Sequence, residues 1–185
     1  MLYNGKPASD RIYLRNLTDE DCSESYAAWL NDIEVNRYLE TRFTVQTIAM
    51  IKDFVRTVNK STDSCLFGIF VNNETAKHIG NIKIGPIHPI YEFADISYFI
   101  GDKTVWGLGY AKEAINLITR FGFKELKLRR IQAGVSSGNM GSAKALIHNG
   151  YQLEARLRQK IFSGNDKQKL WDDHLYYGIL REELK

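Results

Sequence analysis

The stretch Val105-Trp106-Gly107-Leu108-Gly109-Tyr110-Ala111-Lys112-Glu113-Ala114 carries the clearest chemical signal in this chain. Two glycines let the backbone turn tightly, and the first N–H groups of the helix that follows have no partner inside it. Amides from Leu108 to Ala111 would then donate to an anion such as a phosphate. A plain glycine turn joining a strand to a helix is the other reading of the same residues. The spacing is not the dinucleotide fingerprint, whose third glycine would fall at Lys112, nor a Walker loop, since no Gly-Lys-Ser/Thr follows. His78, His88, His148 and His174 are scattered, so no metal site is expected. No Gly-x-Ser-x-Gly points to a serine hydrolase.

The elements around this turn can be read from the hydrophobic pattern. Residues 11–15 alternate as a strand, and Thr18 with Asp21 resembles a capping box opening a helix to about Leu30. Ile48, Ile51, Phe54, Val55 and Val58 recur at helical spacing after Thr44, up to about Asn59. Cys65–Val71 and 77–84 read as antiparallel strands turning at Asn72-Asn73, and Phe93–Ile100 as a third strand after Pro86 and Pro89. A helix from Tyr110 to about Leu126, a strand over 130–135, a helix capped by Asn139 and ended by Gly150, and strands near 152–162 and 168–179 complete the chain. The last two are joined by Ser163-Gly164-Asn165-Asp166.

A length of 185 residues suits one domain, 1–185, and 44% apolar with 25% charged residues is an ordinary globular composition. The longest apolar-rich run, Cys65–Val71, is too short for a membrane helix, and the first seven residues lack the pattern of a secretory signal. A cytoplasmic protein with free thiols at Cys22 and Cys65 is the expectation. Residues 1–100 carry net −3 and residues 101–185 net +6. That surplus suits a bound polyanion, nucleic acid or a phosphorylated small molecule, and a solvated basic face equally. The cluster Lys124, Lys127, Arg129 and Arg130 lacks interleaved aromatics, so nucleic acid is not expected.

Taken with its surroundings, the glycine turn resembles the acetyl-CoA loop of the GNAT N-acetyltransferases, Arg/Gln-x-x-Gly-x-Gly/Ala, with Thr104 replacing the usual first residue. Trp106 through Ala114 match the Trp-Gly-x-Gly-Tyr-Ala-x-Glu-Ala of the ribosomal-protein N-terminal acetyltransferase-like subfamily. The subfamily's Asn-x-x-Ser is similar to Asn139-Met140-Gly141-Ser142, and its Asn-Gly-aromatic-x-x-Glu to Asn149-Gly150-Tyr151-Gln152-Leu153-Glu154. The resemblance implies an α+β, three-layer fold, with a mixed, mostly antiparallel central sheet and helices on both faces. It implies that the strands at 93–100 and 129–135 splay to admit the cofactor.

Acetyl-CoA is then the implied co-substrate, with no metal. Its pantetheine would pair with Phe99 and Ile100, and its pyrophosphate would sit on Gly107, Leu108, Gly109, Tyr110 and Ala111. Lys112 and Lys144 lie where its phosphates would pass, and Asn139 would hold the pantetheine or cap its helix. Transfer to an amine needs a neutral amine, an oxyanion stabiliser and a proton for the thiolate. Glu154 is the first implied base, through water, and Asp95, sharing a strand face with Ser97 and Phe99, the second. The oxyanion donor would be an amide near Ile100. The acid that many members carry as tyrosine falls at Leu146, leaving Ser142, Tyr151 or water.

Trp29–Asp32 and Glu34–Phe43 resemble the N-terminal region of acetyltransferases acting on nucleotide-activated aminosugars. In that reading Arg37 and Arg42 grip a diphosphate while Trp29 or Tyr38 stacks on a ring; packing of Trp29 and Tyr38 on the sheet is the alternative. The expected activity is direct acetyl transfer to a primary amine such as that of a nucleotide-linked aminosugar. Acetylation of a ribosomal protein N-terminus, or a silent acyl-CoA-binding module, are the alternatives. The expected partners are acetyl-CoA and the amine, with no nucleic acid or membrane; a homodimer stays open.

Overall fold

The computed structural model describes residues 1–164 and 168–184. In chain order its elements are β1 (Ile12–Asn16), α1 (Glu24–Asn31), α2 (Ile33–Asn36), α3 (Ile48–Lys60), β2 (Cys65–Val71), β3 (His78–His88), β4 (Phe93–Ile100), α4 (Tyr110–Lys124), β5 (Arg130–Ser136), α5 (Met140–His148), β6 (Gln152–Phe162) and β7 (Trp171–Leu180). The strands form one sheet in the order β1-β2-β3-β4-β5-β7-β6. Neighbours run antiparallel except β4 and β5, which are parallel.

Alternation along β2 shows how the three layers arise. Phe67 and Ile69 point to one face, where they join Ile115, Ile118 and Phe121 of α4 and Leu146 of α5. Leu66 and Phe70 point to the other, where they meet Tyr26 and Leu30 of α1 and Ile51, Val55 and Val58 of α3. A strand covered on both sides loses its polar face, which is why Cys65–Phe70 is apolar apart from Gly68 and wholly buried. No helix among the described residues is long and apolar enough to cross a membrane. Both cysteines are free and buried.

Three local expectations are corrected. Thr18 and Asp21 close a 3-10 turn at Asp19–Asp21, with the Thr18 N–H on Asp21 Oδ2 (2.8 Å), and the long helix does not form there. Asp21 is also claimed by both Arg15 guanidinium nitrogens (2.7 Å each), and the chain restarts at Ser23, whose Oγ caps α1 by accepting from the Tyr26 N–H. Second, β3 does not stop at Ile84: it runs through Pro86 to His88, slipping register between Ile84 and Ile87. Third, α2 and a 3-10 turn at Glu40–Phe43 fill the stretch between the two expected helices, where no element was expected. The Asn165-Asp166 part of the expected last turn lies outside the described residues.

Phe67 is fully buried between Tyr3 and Phe121, its ring centroid 6.5 and 5.3 Å from theirs. Phe67→Ala is expected to lower the unfolding free energy by about 3–5 kcal/mol, read from urea denaturation; an unshifted midpoint would show that this cluster does not hold the sheet to α4.

Candidate active site

β4 and β5 pair only through Phe93, Ala94 and Asp95 with Arg130, Ile131 and Gln132. Beyond that third pair β5 stays on β7 as far as Ser136, while β4 continues with β3 as far as Ile100. The strands therefore part, and the edges they turn to one another lose their ladder. A side-chain bond from Gln132 Nε2 to Asp95 Oδ1 (3.1 Å) spans the last rung. The opening belongs to a cavity of about 1410 Å³ that reaches both faces of the sheet.

At one end of the cavity are Val105, Trp106, Gly107, Gly109, Tyr110, Ala111 and Lys112, with Asn139, Gly141, Ser142 and Lys144 of the α5 start opposite. Gly107 and Gly109 take φ of +77° and +85°, the left-handed region that a Cβ disfavours. This curl points the α4 start at the cavity. The first helical bond runs from the Glu113 N–H to the Gly109 carbonyl (3.1 Å), so among the described residues the amides of Gly109 to Lys112 have no backbone acceptor. Leu108, expected among the donors, is a correction: its N–H closes the turn onto the Val105 carbonyl (3.4 Å), and its side chain lies exposed outside the cavity.

Two contacts hold the turn that the sequence did not announce. Arg11 donates to the Leu108 carbonyl (3.1 Å) and to Glu113 (2.6 Å), so the one acidic residue in the first turn of α4 is neutralised away from the amides. The Trp106 indole N–H donates to the Ile100 carbonyl (2.9 Å). That carbonyl, half of the backbone pair expected to receive the pantetheine, is thereby occupied. Phe99 and Ile100 both line the cavity.

The wider chamber lies under α1, α2 and α3. Tyr26, Leu30, Val35, Tyr38, Met50 and Phe54 form its apolar wall, and Glu34, Glu40, Lys83 and Asp95 bring charge. Glu34 is partly engaged by Lys103 (2.6 Å), and the Lys83 ammonium donates to the Gly85 carbonyl (3.3 Å). Tyr38 lines the chamber with its hydroxyl on the Gly138 carbonyl (2.8 Å). On the wall made by β5 and β7 stand Gly134, Ser136, His174 and Tyr176.

Several predicted positions fall elsewhere. Glu154 lies outside the cavity lining, its carboxylate clasped by both guanidinium nitrogens of Arg130. That hydrogen-bonded cation holds the carboxyl below its ordinary value of 4.5 and occupies both its oxygens, so neither is free to take an ammonium proton. Arg42 spends its guanidinium on the carbonyls of Leu39 and Phe162 (2.7 Å each), tying the 40–43 turn to β6. Arg37 is exposed over the Tyr38 ring and lines nothing. Trp29 packs against Gly101 and edge-on to His78. The diphosphate grip expected of Arg37 and Arg42 is thus corrected, one guanidinium facing solvent and the other spent on backbone carbonyls, while Trp29 takes the packing alternative. Tyr151 and Leu146 are buried, with the Tyr151 hydroxyl on Thr119 (2.8 Å). Neither faces the cavity.

Ser142 lines the cavity, its N–H capped by Asn139 Oδ1 (3.1 Å), which fixes the α5 start. Tyr98 also lines it; burial pushes its phenol up to about 12, and its hydroxyl reaches the Ser142 carbonyl (3.3 Å). No motif marked Tyr98 or His174. Their only trace in the sequence is position parity on β4 and β7.

An acetyltransferase (GNAT) domain model matches residues 11–152, and the chain belongs to that family. It is 34% identical over 157 residues, 83% of this chain and 86% of the other, to the uncharacterized N-acetyltransferase YoaA of Bacillus subtilis (strain 168). Its fold is similar to that of spermidine N-acetyltransferase from Vibrio cholerae, solved with CoA and spermine (TM-score 0.82, 18% identity, 95% of this chain and 98% of that one). It is likewise similar to Mycobacterium smegmatis RimJ, solved with CoA-disulfide (TM-score 0.78, 21% identity, 94% and 83%). The chain is an N-acetyltransferase of this fold.

The Arg130–Glu154 pair makes a signed prediction. Because the folded carboxyl is held down, the pair stabilises the fold fully above the ordinary glutamate pKa and loses that contribution as pH falls through the lower, folded value. Glu154→Gln should therefore lower the thermal midpoint at pH 7 while leaving turnover within about twofold of wild type. A hundredfold loss of turnover would restore Glu154 as the base.

Proposed function

We propose that this chain transfers the acetyl group of acetyl-CoA directly to the primary amine of a small cationic molecule. The observation that carries the reading is the single cavity joining the unpaired amides of Gly109–Lys112, through the β4–β5 opening, to a chamber edged by Glu34, Glu40 and Asp95. One end suits a diphosphate, with Lys112 and Lys144 beside it. The unladdered edge of β4 suits a pantetheine amide chain. The other end suits an ammonium, drawn toward the opening by Asp95, whose position Gln132 sets.

Direct transfer fits the side chains present. Neither Cys22 nor Cys65 lines the cavity, and burial pushes both thiols up, so no thiolate stands ready to form an acyl-enzyme. The charge of the chamber favours a polyamine or simple diamine over a nucleotide-linked aminosugar. A sugar-nucleotide diphosphate would meet carboxylates there, while Arg37 and Arg42 lie outside. The similar Vibrio cholerae enzyme, named for spermidine, points the same way.

Two measurements test this. Free-thiol release from acetyl-CoA over a panel of spermidine, diaminobutane, nucleotide-linked aminosugars and N-terminal peptides should be fastest with the polycations; an aminosugar nucleotide ranking first would overturn the acceptor class, and CoA binding without thiol release would make the chain a silent module. Gly109→Ala, strained by about 1–2 kcal/mol at its positive φ, should weaken CoA by roughly tenfold in calorimetry. An unchanged Kd would show that the turn is not the phosphate cradle.

A further inference from the structure

His174 brings an imidazole to the chamber wall. It stands on β7 opposite Ser136 of β5, and its imidazole lies across the Cα of Gly134, one diagonal step along β5. A Cβ at residue 134 would collide with Nε2, so the glycine is what admits the ring. Tyr176 closes the other side, with ring centroids 4.5 Å apart. Nδ1 is buried and has no hydrogen-bond partner among the described residues. With Nδ1 shut in, Nε2 is the ring nitrogen that a ligand in the chamber can reach. Gly134 lies two residues past Gln132, the last β5 residue paired to β4, so the ring sits over the mouth of the opening.

We infer that His174 Nε2 takes the proton of the acceptor ammonium at the β4–β5 opening, with Gly134 and Tyr176 setting the plane of its ring. The inference rests on the direct-transfer reading above. The ammonium N–H bond breaks and its proton passes to Nε2. The freed lone pair then attacks the thioester carbonyl carbon: the C–N bond forms, the C–S bond breaks, and the second amine proton leaves to the thiolate as CoA thiol. The imidazolium returns its proton to solvent, so the sum is ammonium plus acetyl-CoA giving amide, CoA thiol and one proton.

The charged groups around the ring come from several elements. Lys160 of β6 donates to the Tyr176 hydroxyl (3.3 Å), Glu40 of the 40–43 turn lies across the chamber, and Asp172 of β7 accepts from Ser136 Oγ (2.6 Å). β5 itself contributes only Gly134 and Ser136 beneath the ring. Burial first and Lys160 second hold the imidazole below its ordinary 6.5, against the pull of Glu40. It is thus unprotonated at pH 7 and able to accept.

The test compares wild type, His174→Gln, His174→Ala and Gly134→Ala in three readouts: CoA affinity by calorimetry, the pH dependence of kcat, and turnover with added imidazole, using spermidine and the fastest other amine of the panel. The expected result for His174→Gln is CoA affinity kept within about twofold and kcat down by about 10²–10⁴. The acidic limb of the wild-type profile should lie below pH 6.5 and be absent from the variant. Gly134→Ala, which keeps the imidazole but displaces it, should lose kcat without losing CoA, and His174→Ala should regain activity with free imidazole. A wild-type kcat retained in His174→Gln overturns the inference and leaves the enzyme reading standing. A wild type that binds CoA and acetylates no amine overturns both.

Discussion

The parallel contact between β4 and β5 ends after three residue pairs, and the rest of the molecule answers to that constraint. A sheet interior normally leaves no backbone polar group without a partner, because an unmade buried hydrogen bond costs more than a made one returns. Here the strands part beside solvent and the cavity, so their open edges remain accessible to an extended ligand. β5 is kept straight by seven pairs with β7, and β4 by its ladder to β3, so the gap is held from both flanks and cannot zip closed.

Everything chemical is arranged around that gap. The glycine turn following β4 points the α4 amides at one end, while Arg11 pulls the Glu113 carboxylate aside. Asn139 anchors α5 on the opposite bank. Trp106 fastens the turn back to Ile100, coupling the cradle to the strand whose edge is open. These are three modest contacts, and their joint effect is to fix the turn before any ligand arrives, which spares a ligand the ordering cost that a mobile loop would impose.

The other bank shows how the same residue type serves packing or chemistry by location. Arg42 and Arg37 lie near the chamber in sequence, but one is consumed by backbone carbonyls and the other faces solvent. Glu154 follows a familiar motif, and Arg130 neutralises it two strands away from where a base would stand. His174, which no motif marked, is carried into the chamber because β7 inserts between β5 and β6 and turns alternate residues toward the helices.

Periodicity and glycine placement were enough to locate most strands and helices and the glycine turn before α4, since these depend on neighbours within a few residues. They failed at Thr18, where the cap closes only a 3-10 turn before Ser23 opens the helix, and at Pro86, where strand pairing carries β3 past a residue that cannot donate. Which carboxylate or imidazole enters the chamber depends instead on partners 24 and more positions away, such as Arg130 for Glu154 and Phe162 for Arg42. Those pairings follow from strand order and register. A local pattern carries no record of them, because charge and hydrogen-bonding capacity are spent on whatever the fold brings within about 3 Å.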